Sequence, residues 1–165
     1  NLGPSQGEAR FDYRGGTLDK GEYASVEAMT GEVSLTSGTI VVEDFRLGGG
    51  GRLKTSGPTT LVIRGKLELS GSIYLEGKPS HLTVLLADGA QATVNGGAKA
   101  SMVLYGPEAK IRITDGSTLY GAIVGNNVEV LGGCHLHFDE RLLDGDSSEH
   151  PNGGSESQIL NWQKF

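Results

Sequence analysis

Disulfides are excluded at the outset, because the chain has a single cysteine, Cys134, and its cysteine usage therefore identifies no redox compartment. Proline is sparse at 5 residues and no Gly-x-y period appears, so neither a collagen helix nor proline-rich disorder fits. No apolar run approaches the ~20 residues of a bilayer-spanning helix, so this fragment is not expected to touch a membrane itself. The sequence opens at Asn1 with neither an initiator methionine nor a signal peptide, which reads as a processed or truncated chain whose anchor or address lies upstream. Positive charge is also lacking overall. The formal net charge of -6 disfavours the nonspecific phosphate neutralisation that dominates nucleic-acid affinity, while leaving room for a local basic stripe.

Glycine is what the chain has in excess. There are 27 among 165 residues, about twice the usual share of roughly 7%. Set among β-branched and aliphatic residues, they imply many tight turns between short strands, because glycine adopts positive φ without a Cβ clash. The length suits one domain with a real core, and the class is all-β.

A short phrase recurs along the chain: an aliphatic residue, a turn of small residues, then usually another aliphatic. It occurs at Leu35-Thr-Ser-Gly-Thr-Ile-Val41, Leu47-Gly-Gly-Gly-Gly-Arg-Leu53, Leu69-Ser-Gly-Ser-Ile-Tyr-Leu75, Val94-Asn-Gly-Gly-Ala-Lys-Ala100, Ile113-Thr-Asp-Gly-Ser-Thr-Leu119 and Val130-Leu-Gly-Gly-Cys-His-Leu136. Each reads as strand, tight turn, strand. Before the turn, the pairs Leu67/Leu69, Ala92/Val94, Ile111/Ile113 and Val128/Val130 alternate, so each pair faces one side of its strand. After it, Ile73/Leu75, Ala98/Ala100, Ser117/Leu119 and Cys134/Leu136 keep that parity and form a second wall. A third set, at 61–63, 82–86, 102–105 and 119–124, is more continuously apolar, as expected of strands covered on both faces.

Three walls close a prism. The last four intervals between copies run from about 17 to about 25 residues, an irregularity that suits a right-handed parallel β-helix better than a strict left-handed hexapeptide helix. About five or six coils are expected over residues 31–143. Leu35 and Leu47 are too close for successive coils and are assigned to different faces of one coil. Residues 1–30 read as an irregular lead-in whose Phe11, Tyr13 and Tyr23 cap the first rung. Residues 144–157 carry no aliphatic side chain and read as a flexible acidic loop. Residues 158–165, with Ile159, Leu160, Trp162 and Phe165, are expected to fold back as a C-terminal cap over the last rung.

From roughly residue 57 to the end, the chain resembles the β-helical C-terminal region of bacterial type IV pilus assembly proteins of the PilX and ComZ-like minor pilin kind. The phrases that carry the likeness are Ser-Gly-Ser-Ile-Tyr-Leu-Glu-Gly at 70–77, Leu-Tyr-Gly-Ala-Ile-Val-Gly-Asn-Asn-Val-Glu-Val at 119–130, His-Phe-Asp-Glu at 137–140 and Ile-Leu-Asn-Trp at 159–162. The resemblance implies an upstream hydrophobic pilin helix, a place outside the cell on a pilus or pseudopilus, and other pilin-like subunits as partners. It implies no ligand. The acidic insertion at 144–157 and the segment before Leu35 depart from it.

Candidate chemistry is sparse. His135, His137 and Asp139 would share one strand face, a partial ligand set for zinc or nickel, against which stands a solvated face on the last rung with Leu136 and Phe138 inward. The carboxylates Asp115, Asp139, Glu140 and Asp144 raise a β-helical carbohydrate-active enzyme, but their spacing selects no acid and base pair, and Asp115 sits in a turn slot suited to an Asx-turn. Cys134 fills a small inward position, that of an inert thiol. The sharpest site candidate is basic. Arg46, Arg52, Lys54, Arg64 and Lys66 occupy a stretch without Asp or Glu, and Lys66, Lys110 and Arg112 flank inward aliphatics on equivalent strands. Stacked, they would form a positive stripe for DNA or an anionic surface polymer, opposed by Glu68 and Glu129 on the same wall. No catalytic residue and no cofactor is assigned. The expectation is a non-enzymatic, pilus-associated surface module acting in assembly, adhesion or DNA uptake. The alternatives are a bactofilin-like cytoskeletal polymer, joined through open ends, and a carbohydrate-active enzyme on the same scaffold.

Overall fold

The computed structural model describes residues 7–55, 57–75 and 81–138. They form eleven strands: β1 (Glu8–Phe11), β2 (Gly16–Leu18), β3 (Gly21–Leu35), β4 (Gly38–Thr55), β5 (Thr59–Leu69), β6 (Ser72–Leu75), β7 (Leu82–Leu86), β8 (Gln91–Val94), β9 (Lys99–Ile113), β10 (Thr118–Val130) and β11 (His135–Phe138). Every pairing between them is parallel. The result is a parallel β-helix of about six turns, and no α-helix occurs among the described residues.

The longer strands bend around corners, so that one strand contributes to more than one wall. The first wall stacks residues 38–42 of β4, 59–63 of β5, β7, and 103–105 of β9. The second stacks β1, residues 25–28, 44–47 and 66–69, β8, then 110–113 and 127–130. The third begins with β2, residues 33–35 and 53–55 and β6, and ends with 99–101, 118–120 and β11.

Alternation within each strand builds the core. Ile40, Leu61, Val84 and Leu104 form one inward column, Val26, Phe45, Leu67, Ala92 and Ile111 another, and Ala28, Leu47, Leu69, Val94 and Ile113 a third, all nearly inaccessible to solvent. Burying one such aliphatic stabilises by roughly 1.5–3 kcal/mol, against an ordering cost of about 1–2 kcal/mol per residue of backbone. Many coils are therefore needed before the stack is stable, since no single contact carries it.

The corner between the second and third walls is the repeated phrase. In three successive coils it holds two consecutive residues at positive φ: Gly96 (64°) and Gly97 (72°), Asp115 (59°) and Gly116 (70°), Gly132 (71°) and Gly133 (71°). Ala98 N donates to Asn95 O at 3.2 Å and Ser117 N to Thr114 O at 3.3 Å, as in a type I′ turn. Asp115 thus holds a left-handed backbone position that Asp tolerates, in place of the expected Asx-turn, and its carboxylate accepts from Thr114 Oγ1 at 3.0 Å. Between coils, Thr114 N donates to Val94 O at 2.8 Å, Leu131 N to Ile113 O at 2.9 Å and Gly116 N to Gly132 O at 2.9 Å, so the corners stack as the strands do.

Two expectations are corrected. Residues 8–30 are coil, not lead-in: Tyr23 is buried in the core with its hydroxyl donating to Asp19 O at 3.0 Å, Phe11 packs on the first rung, and Tyr13 is 72% exposed. Small and aromatic residues fill inward positions there that aliphatics fill elsewhere. As their close spacing implies, Leu35 and Leu47 fall on different faces: the Leu35 phrase forms the corner between the third and first walls, and the other five copies form the corner between the second and third. The first wall is not covered on both faces. Its outward residues Val62, Leu85 and Val103 are half-buried and Tyr105 is exposed. Outward Val41 is the exception at 4% exposure; an Arg64–Glu22 ion pair links the coils on either side of the one that carries it. The proposed loop at 144–157 and cap at 158–165 lie outside the described residues.

Three buried positions are polar, Thr55, Thr59 and Ser117; the hydroxyls of Thr59 and Ser117 donate to backbone carbonyls, and Thr55 is the exception. Thr55 follows Leu18 and Leu35 in an inward column of the third wall, fully buried, with its hydroxyl unpartnered among the described residues. An unsatisfied buried hydroxyl costs about 1–3 kcal/mol, and valine has nearly the same shape. Thr55→Val is expected to stabilise the protein by about 1 kcal/mol in urea unfolding, whereas a loss of stability would show that the hydroxyl has a partner.

Candidate functional site

The second wall carries most of the sequence's charge candidates, and its outward positions form two columns. One runs Ser25, Asp44, Lys66, Gln91, Lys110, Asn127; the other runs Glu27, Arg46, Glu68, Thr93, Arg112, Glu129. Between them lie the inward residues Phe45, Leu67, Ala92 and Ile111, so strand parity alone forces these polar side chains outward.

In the lower coils the charges close on one another. Arg46 reaches Glu27 at 4.0 Å and Glu68 at 3.3 Å, and Lys66 Nζ reaches Glu68 Oε1 at 2.7 Å. Asp44 Oδ1 accepts the Lys66 backbone N–H at 3.0 Å, next to the register shift between Val42 and Asp44. The hydrogen bond from Lys66, joined by the charges of Lys66 and Arg46, holds the Glu68 carboxyl below its ordinary value despite the opposing effect of burial.

The seven basic candidates therefore do not form one positive stripe. Arg46, Lys66, Lys110 and Arg112 stand on the second wall, Arg52 and Lys54 on strand β4 where it enters the third, and Arg64 beyond the end of the first. Arg64 is tied to Glu22, and Arg112 lies 3.8 Å from Glu129. The register that aligns the cations also inserts Glu27, Glu68 and Glu129 among them.

The upper coils differ. Lys110 stacks between two neutral amides, Gln91 below and Asn127 above, and makes no ion pair among the described residues. Together with Thr93, Arg112 and Glu129 these residues line a shallow open depression of about 220 Å³. Its floor is the strand backbone at Ala92 and Ile111, whose side chains point into the core. Gln91, Thr93 and Asn127 are absent from the sequence reading, which followed charge; the signal that would have found them is their outward parity beside Ala92 and Val128.

The histidines sit on the last described coil. His137 stacks on Tyr120, ring centroids 4.7 Å apart, and on His135 at 6.4 Å; both histidines are exposed. Asp139, the third proposed ligand, lies outside the described residues, and among those described no group of three metal-ligating side chains is assembled. Cys134 occupies the small slot above Ser117, and the two behave alike: Ser117 Oγ donates to Thr114 O at 2.7 Å and Cys134 Sγ to Leu131 O at 2.8 Å. Cys134 is partly buried against the core.

The chain belongs to the family described as Domain of unknown function (DUF7305), whose model matches residues 6–144. Neither a curated protein nor a solved structure matches it. The matched span covers all the described coils.

The Glu68 environment has a pH consequence. Its carboxyl titrates lower in the folded chain than the ordinary 4.5, so its stabilising contribution is present above that value and disappears as pH falls through the folded pKa. Glu68→Gln is expected to lower the melting temperature modestly at pH 7, an exposed network of this kind being worth about 0.2–1 kcal/mol. Thermal melts of both proteins should converge in acid, and a difference that persists unchanged to low pH would contradict the ion-pair assignment.

Proposed function

We propose that this chain is a non-enzymatic surface module of a pilus-associated, minor pilin-like protein, exposed outside the cell and joined to other pilin-like subunits. The observation that carries the reading is the outer surface of the solenoid: side chains from separate coils are held in straight columns on a rigid sheet, open along its length. Such a surface suits holding an extended partner more than enclosing a small substrate. The resemblance of residues 57–165 to the β-helical ends of minor pilins supports the address. Among assembly, adhesion and DNA uptake, the second wall favours adhesion, because its lower cations are neutralised in place and leave no continuous track for a phosphate backbone.

A second reading rests on a different observation. In the last described coil the residues stacked on the inward columns are open to solvent, Val128 at 39%, Val130 at 40% and Leu136 at 46%, and this apolar rung is what end-to-end joining of a bactofilin-like polymer would use. Fractionation of cells carrying the tagged parent protein separates the two. Recovery with sheared surface filaments, and weaker adherence when the gene is deleted, is the expected result; recovery in cytoplasmic filaments would overturn it in favour of the polymer.

A further inference from the structure

We propose that the depression on the upper second wall is a binding site for an acidic glycan, a chain of sugars bearing carboxylates, with Lys110 as its anion-binding centre. The proposal rests on the adhesion reading above and gives it a ligand class.

The contrast within one column is the starting point. Lys66 and Lys110 occupy the same outward column, yet Lys66 is held by Glu68 at 2.7 Å whereas Lys110 stands between the amides of Gln91 and Asn127. At the position beside Lys110 where a lower coil has Glu68, the upper coil has Arg112, and the residue below Arg112 is Thr93. An exposed ammonium flanked in its own column by neutral amides, and in no ion pair among the described residues, remains available to an external anion.

The neighbours select the kind of anion. Each amide offers a donor pair and an acceptor, and the Thr93 hydroxyl offers both, which matches sugar hydroxyls that donate and accept at once. Glu129 adds an acceptor for a hydroxyl donor, and Arg112, 3.8 Å from it, a second donor fork. The groups repeat on three consecutive strands, at the spacing of about 4.8 Å between strands of a sheet. A duplex backbone carries one charge per ~1.7 Å of axis and would bring several phosphates against Glu129 for one unpaired lysine. A uronate chain carries one carboxylate per ring, placed among hydroxyls. The cavity is open and about 220 Å³, shaped for one ring of a longer chain lying across the strands.

Titration calorimetry of the whole chain with a galacturonate trisaccharide, a neutral galactose trisaccharide and a short DNA duplex tests the site. The galacturonate oligomer is expected to bind, the neutral one at least tenfold more weakly. Lys110→Gln and Asn127→Ala should each weaken galacturonate binding about tenfold or more, the range for losing a hydrogen bond to a charged group. Lys66→Gln, on the closed part of the same wall, should leave it unchanged, and melting temperatures check that all three variants fold. No binding of the galacturonate oligomer, equal binding by Lys110→Gln, or tighter binding of duplex at this site would overturn the proposal. Filament recovery with no glycan binding refutes the ligand alone, while glycan binding by a protein found in cytoplasmic filaments refutes the address alone.

Discussion

The backbone amides in the walls of this solenoid pair with the coil above or below, and that parallel, in-register pairing constrains everything else. Once residue 67 pairs with residue 92, parity decides that Leu67 and Ala92 face inward and that Lys66, Glu68, Gln91 and Thr93 face out. A slip by one residue would turn Leu67 and Leu69 to solvent and bury Lys66 and Glu68. The apolar columns therefore fix the register, and the register in turn writes the surface chemistry. Corners obey the same rule: positive-φ pairs at Gly96-Gly97, Asp115-Gly116 and Gly132-Gly133 reverse the chain without disturbing the ladder.

Surface charge follows from that geometry more than from composition. Glu27, Arg46 and Glu68 lie far apart in sequence, yet they form a single alternating ladder because their coils have matching inward residues. The amides at 91 and 127 likewise come to flank Lys110. The same stacking leaves the last described rung with no further coil among the described residues, and the inward side chains of Val128, Val130 and Leu136 are open there.

Legibility tracked the strength of the two-residue period. Pairs such as Ala92/Val94 and Ile111/Ile113 announce their strands and their common wall, because one buried face imposes alternation and the glycine-rich turns punctuate it. The first coil was illegible since Ala9, Phe11, Gly21 and Tyr23 share no residue type, although all serve a single core. Strand, turn and strand look alike at any corner, and only the close spacing of Leu35 and Leu47 tells their two corners apart. Largely apolar runs such as Leu82–Leu86, broken only by Thr83, suggest a covered strand, whereas the outward Leu85 is half-buried. For the site, the proximity of Arg46, Arg52, Lys54, Arg64 and Lys66 in sequence overstated their proximity in space, as they fall on different walls. Which residues share a column depends on how many residues each corner inserts, and that number varies from coil to coil.

Distance measurement along one column tests the stacking most directly. Nitroxide labels placed on Ser25 and Asn127, with Cys134 replaced by serine, occupy the same outward column five strand steps apart. At about 4.8 Å per step, electron dipolar spectroscopy should find a single narrow distribution near ~24 Å, and moving the upper label to Lys110 should shorten it by about one step. A broad distribution, or a distance that does not shorten when the label moves down one coil, would contradict the in-register solenoid.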